Sequence, residues 1–256
     1  MSILYDTQKL QETSEVLSLH GTPTLLWFLF YWGVWACVHL VVSPRIPFLP
    51  EVAGDRGRRA LAENTVVSLF NSVLQSFLTI PLWTAVFFGQ IGFFEDHVES
   101  FVCCFLGYNL YDLVAGLVLA KAYVFRRQPT LLIHHGIVIS SLVGSLFSPF
   151  TMYYQVIATL CEVNSVFLHA RSILKRCEIS FRLRFDRAVL VGQYVTFLVF
   201  RLATSAWLVP EGYWYSTTIA GTPFWIILAV LLFTLNSVYL GLLLKSDLQQ
   251  VKQHRN

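Results

Sequence analysis

Two adjacent histidines, His134 and His135, stand in the apolar run Leu131-Leu132-Ile133-His134-His135-Gly136-Ile137-Val138-Ile139. The neighbouring apolar stretches carry a carboxylate on each side, Asp112 before the pair and Glu162 after it. An imidazole can take a proton as general base or accept an acyl group as nucleophile, and a carboxylate beside it would fix its tautomer. His134, His135 and Asp112 are therefore the catalytic candidates if the chain is an enzyme. Successive residues on a helix point about 100° apart, so the two rings cannot aim equally at one point. One would react and the other orient. The competing reading is structural: neutral imidazoles that tie helices together, with Glu162 and Asp112 paired to Arg201 or Arg171. Both readings stay open. No metal is expected, because histidines at i and i+4 on one helix face are missing.

These residues need elements to hold them, and the composition says which. Of 256 residues, 55% are hydrophobic and 13% charged, against roughly 25% charged in an ordinary soluble domain. With a mean hydropathy of +0.60, the chain reads as an all-α polytopic membrane protein. Seven stretches are long enough to cross a bilayer, for which about 20 apolar residues suffice. They are Thr24–Ser43, Asn64–Phe88, Ser100–Ala120, Leu131–Phe147, Thr151–Leu174, Ala188–Val209 and Thr222–Leu244. Eight prolines (23, 44, 47, 50, 129, 149, 210 and 223) fall between these spans or at their edges, and Pro81 predicts a kink in the second. Ser148-Pro149-Phe150 predicts a tight hairpin between the fourth and fifth. Residues 1–23 are polar and precede the first span at 24–43 without the pattern of a cleavable signal. The five cysteines show neither metal-site spacing nor a disulfide framework.

Lys and Arg set the expected orientation. Arg45, Arg56, Arg58 and Arg59 follow the first span, Lys121, Arg126 and Arg127 the third, and Lys175 to Arg187 the fifth. Lys245, Lys252 and Arg255 follow the last. The intervening loops have none. This alternation predicts a non-cytosolic N-terminus and a cytosolic tail over 248–256. The segment Lys175–Arg187, with Phe181 and Phe185 among its basic residues, is expected on the anionic cytosolic surface. The basic groups are too dispersed for a nucleic-acid binder.

Polar residues within the spans share faces, which in lipid should point inward. Asn64, Ser68, Asn71 and Gln75 form a stripe in the second span, Tyr108 and Asp112 align in the third, and Glu162, Ser165 and His169 align in the fifth. His134, Ser141 and Ser145 align in the fourth, Arg201 belongs to the sixth and Asn236 to the seventh. Asn71, Tyr108, Glu162, Ser165, Arg201 and Asn236 are the expected cavity or substrate-binding residues. The first span has no such stripe apart from His39 and is expected outside a six-helix core.

The pieces Asn64-Thr65-Val66-Val67-Ser68, Gly107 to Asp112, Ile133-His134-His135, Glu162 to Arg171, Phe200-Arg201 and Asn236 together resemble the TLC domain over residues 58–247. Glu162 to Arg171, Thr196 to Leu202 with Ala206-Trp207, and Lys245-Ser246-Asp247 resemble the small plasma-membrane branch of that family, which includes calfacilitin and a nematode membrane-fluidity regulator. The resemblance implies a six-helix core around a lipid-accessible cavity and a role in membrane phospholipid composition and fluidity, limiting the incorporation of polyunsaturated acyl chains. Membrane lipids, acyl chains or phospholipid would be its partners, and the plasma membrane its location; span lengths alone permit the endoplasmic reticulum equally. Ceramide synthases of this family place acyl chemistry on the histidine pair, which implies a second reading, a histidine-dependent lipid acyltransferase using acyl-CoA as substrate. Asn71 stands where many family members have histidine, and no acidic pair follows His135 before Glu162, which tells against acylation of a sphingoid base. A third reading is a non-enzymatic modulator of another membrane protein such as a channel. No cofactor is expected under any of them.

Overall fold

The computed structural model describes residues 2–119, 129–147, 149–177, 182–220 and 223–253. The basic loop with Lys121, Arg126 and Arg127, the Ser148 corner and the part of the Lys175–Arg187 segment at 178–181 lie outside the described residues. The chain is an all-α polytopic membrane protein. Its helices are α1 (Ser2–Cys37), α2 (Pro50–Ala53), α3 (Arg56–Phe87), α4 (Ile91–Leu119), α5 (Pro129–Leu146), α6 (Pro149–Thr159), α7 (Cys161–Leu174), α8 (Arg182–Thr196), α9 (Thr204–Tyr215) and α10 (Phe224–Gln253).

Five helical stretches are long and apolar enough to cross a membrane: 19–45, 56–85, 97–119, 187–218 and 224–249. The fourth expected span is the shorter apolar stretch Leu132–Leu146 within α5. The fifth is divided. A turn at Leu160 separates α6 from α7, with i→i+3 bonds from Leu160 N–H to Ile157 O and from Val163 N–H to Leu160 O, both at 3.1 Å. Neither proline nor glycine marks the break. It places Glu162 in the first turn of α7, where the positive end of the helix dipole favours a carboxylate.

Proline usage is mixed. Pro50, Pro129 and Pro149 each open a helix, the position where the missing N–H costs nothing. Pro23 and Pro210, expected at span edges, lie inside α1 and α9 instead. Both prolines fall inside the longer apolar stretches 19–45 and 187–218, which extend beyond the expected spans, and one lost backbone bond does not end either helix. The helix also continues through Pro81. Between α8 and α9 the sixth span passes through a π-helical stretch, Phe197–Ala203, which contains Arg201; such bulges inside helices are frequent at functional sites.

The core lies where α4 meets α1 and α3, around Tyr31, Val67, Val102, Tyr111 and Leu142. The first span lines none of the cavity described below, yet its Tyr31 is fully buried, with its ring centroid 5.1 Å from Tyr108 and 6.0 Å from Tyr111. Close approach of α1 to α4 depends on Gly107. A Cβ there would lie 2.6 Å from Trp27 Cβ and 2.9 Å from the Phe28 backbone nitrogen. Backbone cannot yield as a flexible side chain can. Gly107→Val is expected to cost about 3 kcal/mol by overpacking, seen as a lowered melting temperature in detergent. Gly33→Val, where an added Cβ meets nothing within 4 Å, should leave it unchanged.

Candidate functional site

The histidine pair divides into two environments, as the 100° helical offset requires. His135 is buried, its Nε2 2.9 Å from Asp112 Oδ2 and off the direction of a well-aligned hydrogen bond. Its Nδ1 lies 3.3 Å from Asn109 Oδ1. Asp112 is fixed from the other side by α3: Asn64 Nδ2 donates to Oδ1 at 2.6 Å and Ser68 Oγ at 3.4 Å. Tyr111 O–H completes the network by donating to Asn64 Oδ1 at 2.8 Å. The expected pairing of Asp112 with an arginine is replaced by this α3–α4–α5 clamp.

His134, one residue earlier, faces a cavity of ≈ 90 Å³ between α5, α6, the start of α7, the π-helical stretch, α9 and α10. That exceeds the roughly 10–15 Å³ a single water needs. Most of its wall is apolar, including Ile137, Val138, Leu208, Leu228 and Leu232. Four ionisable or amide side chains expected from the sequence converge on it: His134, Glu162, Arg201 and Asn236. Ser141 and Gln155, which hydrogen-bond to each other, join the lining. Tyr154, Tyr215 and Trp225 form its aromatic end, with the Tyr215 ring centroid 6.2 Å from that of Tyr154 and 6.0 Å from that of Trp225.

The expected Glu162–Arg201 ion pair is not formed. Glu162 Oε2 accepts from Ser72 Oγ at 2.7 Å, and Arg201 Nη2 donates to Ser165 Oγ at 2.9 Å. Each charge is held by a neutral hydroxyl and stays at the cavity wall. Arg201 Nε, His134 Nδ1 and both amide atoms of Asn236 have no protein partner. A buried polar atom left unpaired costs about 1–3 kcal/mol, so their gathering at one cavity is a mark of a binding site.

Three expected cavity residues lie elsewhere. Asn71 accepts from Tyr31 O–H at 2.8 Å and from Gln75 Nε2 at 3.4 Å, inside the α1–α3–α4 packing. Tyr108 packs on Tyr31 there. Ser165 is one shell back, supporting Arg201. A polar stripe marks which helix face turns inward, but not whether it meets a cavity or another helix. Arg171, the other arginine considered for Glu162, pairs with Asp247 and donates to Gln193 Oε1 at 3.1 Å; Tyr194 O–H also donates to Asp247 at 2.7 Å. This ties α7 and α8 to the far end of α10.

One buried acid escaped the sequence reading. Glu63 accepts from Ser43 Oγ at 2.5 Å and Arg59 Nε at 3.0 Å, and lies 2.8 Å from His39 Nδ1. Glu63 stands just ahead of the expected second span, outside the stretch that carries the polar stripe. Its four-residue spacing from Arg59 was the available signal. The connection before α2 and the N-terminal part of α3 are tied to the segment just after α7, through Leu49 N–H to Arg176 O at 3.0 Å and Arg176 Nη1 to Thr65 Oγ1 at 2.7 Å. Among the described residues no cluster of three or more His, Cys, Asp or Glu side chains is arranged to hold a metal ion.

The family model for the TLC domain matches residues 62–245, most of the chain. TLC domain-containing protein 2 of Danio rerio is 31% identical over 121 residues, covering 44% of this chain and 48% of that protein. The chain thus aligns with about half the length of this relative. No solved structure matches.

Proposed function

The chain belongs to the TLC-domain family, and from that premise we propose that it regulates membrane phospholipid composition by taking a lipid acyl chain into the cavity between α5, α6, α9 and α10. The observation that carries this reading is the cavity itself: an apolar wall inside membrane-spanning helices, with His134, Glu162, Arg201 and Asn236 gathered on it. Buried ionisable groups in lipid are expensive and mark substrate pathways more often than packing. The regulation fitted best by the family is restraint on polyunsaturated chains entering phospholipids, so that the membrane keeps a moderate fluidity. The alternating basic loops support a non-cytosolic N-terminus and a cytosolic C-terminus, and the plasma membrane is the proposed location.

A second reading, acyl transfer through histidine, is favoured by one observation: His134 lines the cavity and its buried Nδ1 has no protein partner. A thioester-bound chain would acylate that nitrogen with loss of the thiol, and a lipid amine or hydroxyl would then take the acyl group and restore the imidazole.

Lipid profiling tests both. Cells lacking the protein and fed a polyunsaturated acid are expected to carry more of it in their phospholipids than cells with the protein. Restoring wild type should reverse this; no difference between the two lines would end the regulatory reading. If His134→Ala with His135→Ala inserts normally and rescues fully, histidine chemistry is excluded. An acyl adduct found on His134 by intact-protein mass spectrometry would favour the transferase instead.

A further inference from the structure

The cavity has a polar end and an aromatic end. Trp225 and Asn236 are eleven positions apart on α10, a rise of about 16 Å, roughly half the ~30 Å hydrocarbon core of a bilayer. On the neighbouring segment the π-helical stretch that carries Arg201 packs on α10, and Tyr215 packs on Trp225. A polar head placed at Asn236 and Arg201 would leave the apolar body of a ligand directed toward the aromatic rings.

The head must satisfy particular atoms. Asn236 is 1% exposed, lines the cavity, and has no protein partner for either amide atom. Whichever way the amide is turned, it asks for one donor and one acceptor. Arg201 Nε adds a donor, and His134 Nδ1 adds a donor or an acceptor according to its tautomer. The charge is already balanced, with one guanidinium and one carboxylate, Glu162, on the same wall. An anionic head would leave two negative groups facing one cation where little water screens them. A simple ester offers acceptors alone and leaves Asn236 Oδ1 unpaired.

We propose that the cavity selects an uncharged lipid whose head carries both a hydroxyl or amide hydrogen and an oxygen acceptor, held by Asn236 and Arg201, with its chain running toward Tyr154, Tyr215 and Trp225. This rests on the reading that the cavity takes a lipid chain. Asn236 is then a specificity-determining residue: it tells a neutral hydroxyl-bearing head from a carboxylate or an ester of the same chain.

Three probes with one oleoyl chain separate the cases: 1-monooleoylglycerol, sodium oleate and methyl oleate. Each is titrated into the full chain in detergent and read by native mass spectrometry and by the rise in melting temperature that a ligand of the folded state produces. Monooleoylglycerol is expected to bind at least about tenfold more tightly than the other two, since hydrogen bonds are lost with each of them. Asn236→Leu, which replaces an unpaired amide by an apolar group and should fold, is expected to abolish that preference while all three probes still bind weakly. Tighter binding of oleate, or a preference that survives Asn236→Leu, overturns the head-group assignment and leaves the lipid cavity standing. Failure of all three probes to bind wild type overturns the assignment and the lipid-cavity reading together.

Discussion

Asp112→Ala is expected to cost about 3–5 kcal/mol and to leave little folded protein, whereas Asp112→Asn should cost far less. The carboxylate lies between His135 at 2.9 Å and Asn64 at 2.6 Å, with Ser68 at 3.4 Å. Alanine would strand the Asn64 amide and the His135 imidazole in a space closed to water, where removing one partner of a buried pair is strongly destabilising. Asparagine keeps an acceptor for Asn64. Because whole domains are stable by only about 5–15 kcal/mol, the alanine variant should melt at a much lower temperature or fail to give a monodisperse peak in mild detergent. An alanine variant as stable as wild type would mean that the clamp does not hold α3, α4 and α5 together, and would return Asp112 to the list of reactive groups.

Ala158→Trp is expected to remove function while leaving the fold intact. Ala158 contributes only a methyl group to the cavity wall, opposite α9 and α10. An indole at that position would project into the space assigned to the acyl chain. The surrounding wall is apolar, so the added ring should be accommodated at less than the 1–3 kcal/mol typical of overpacking a filled core. In cells lacking the protein, this variant should insert and accumulate normally yet fail to lower polyunsaturated chains in phospholipids. Full rescue by Ala158→Trp would mean that the cavity is not used.

Much of the fold was legible. Apolar length located five of the seven expected spans, and prolines such as Pro129 and Pro149 fell where helices begin. Spacing also showed that Glu162, His134, Arg201 and Asn236 must face inward, since a polar group on the lipid side is so costly. What could not be read was which inward face meets which neighbour. Asp112 and Arg201 were equally plausible partners by charge; only tertiary packing puts His135 and Asn64 beside the first and Ser165 beside the second. Asn71 and Tyr108 share stripes with true inner faces but pack against Tyr31, because α1 covers that side of α3 and α4. The break at Leu160 and the π-helical stretch around Arg201 leave no local signature either. Each lies beside or around a charged residue of the cavity wall, Glu162 or Arg201. Glu63 was hidden for the opposite reason: its partners Ser43 and His39 come from a different span.

Photo-crosslinking with a diazirine-bearing acyl lipid tests the central claim most directly. In membranes holding the wild-type chain, peptide mapping should place adducts on the cavity wall, at residues such as Val138, Leu228 and Leu232, and Ala158→Trp should remove them. Adducts confined to lipid-facing residues such as Phe77 and Leu40, which are 72% and 71% exposed, and unchanged in Ala158→Trp, would contradict it.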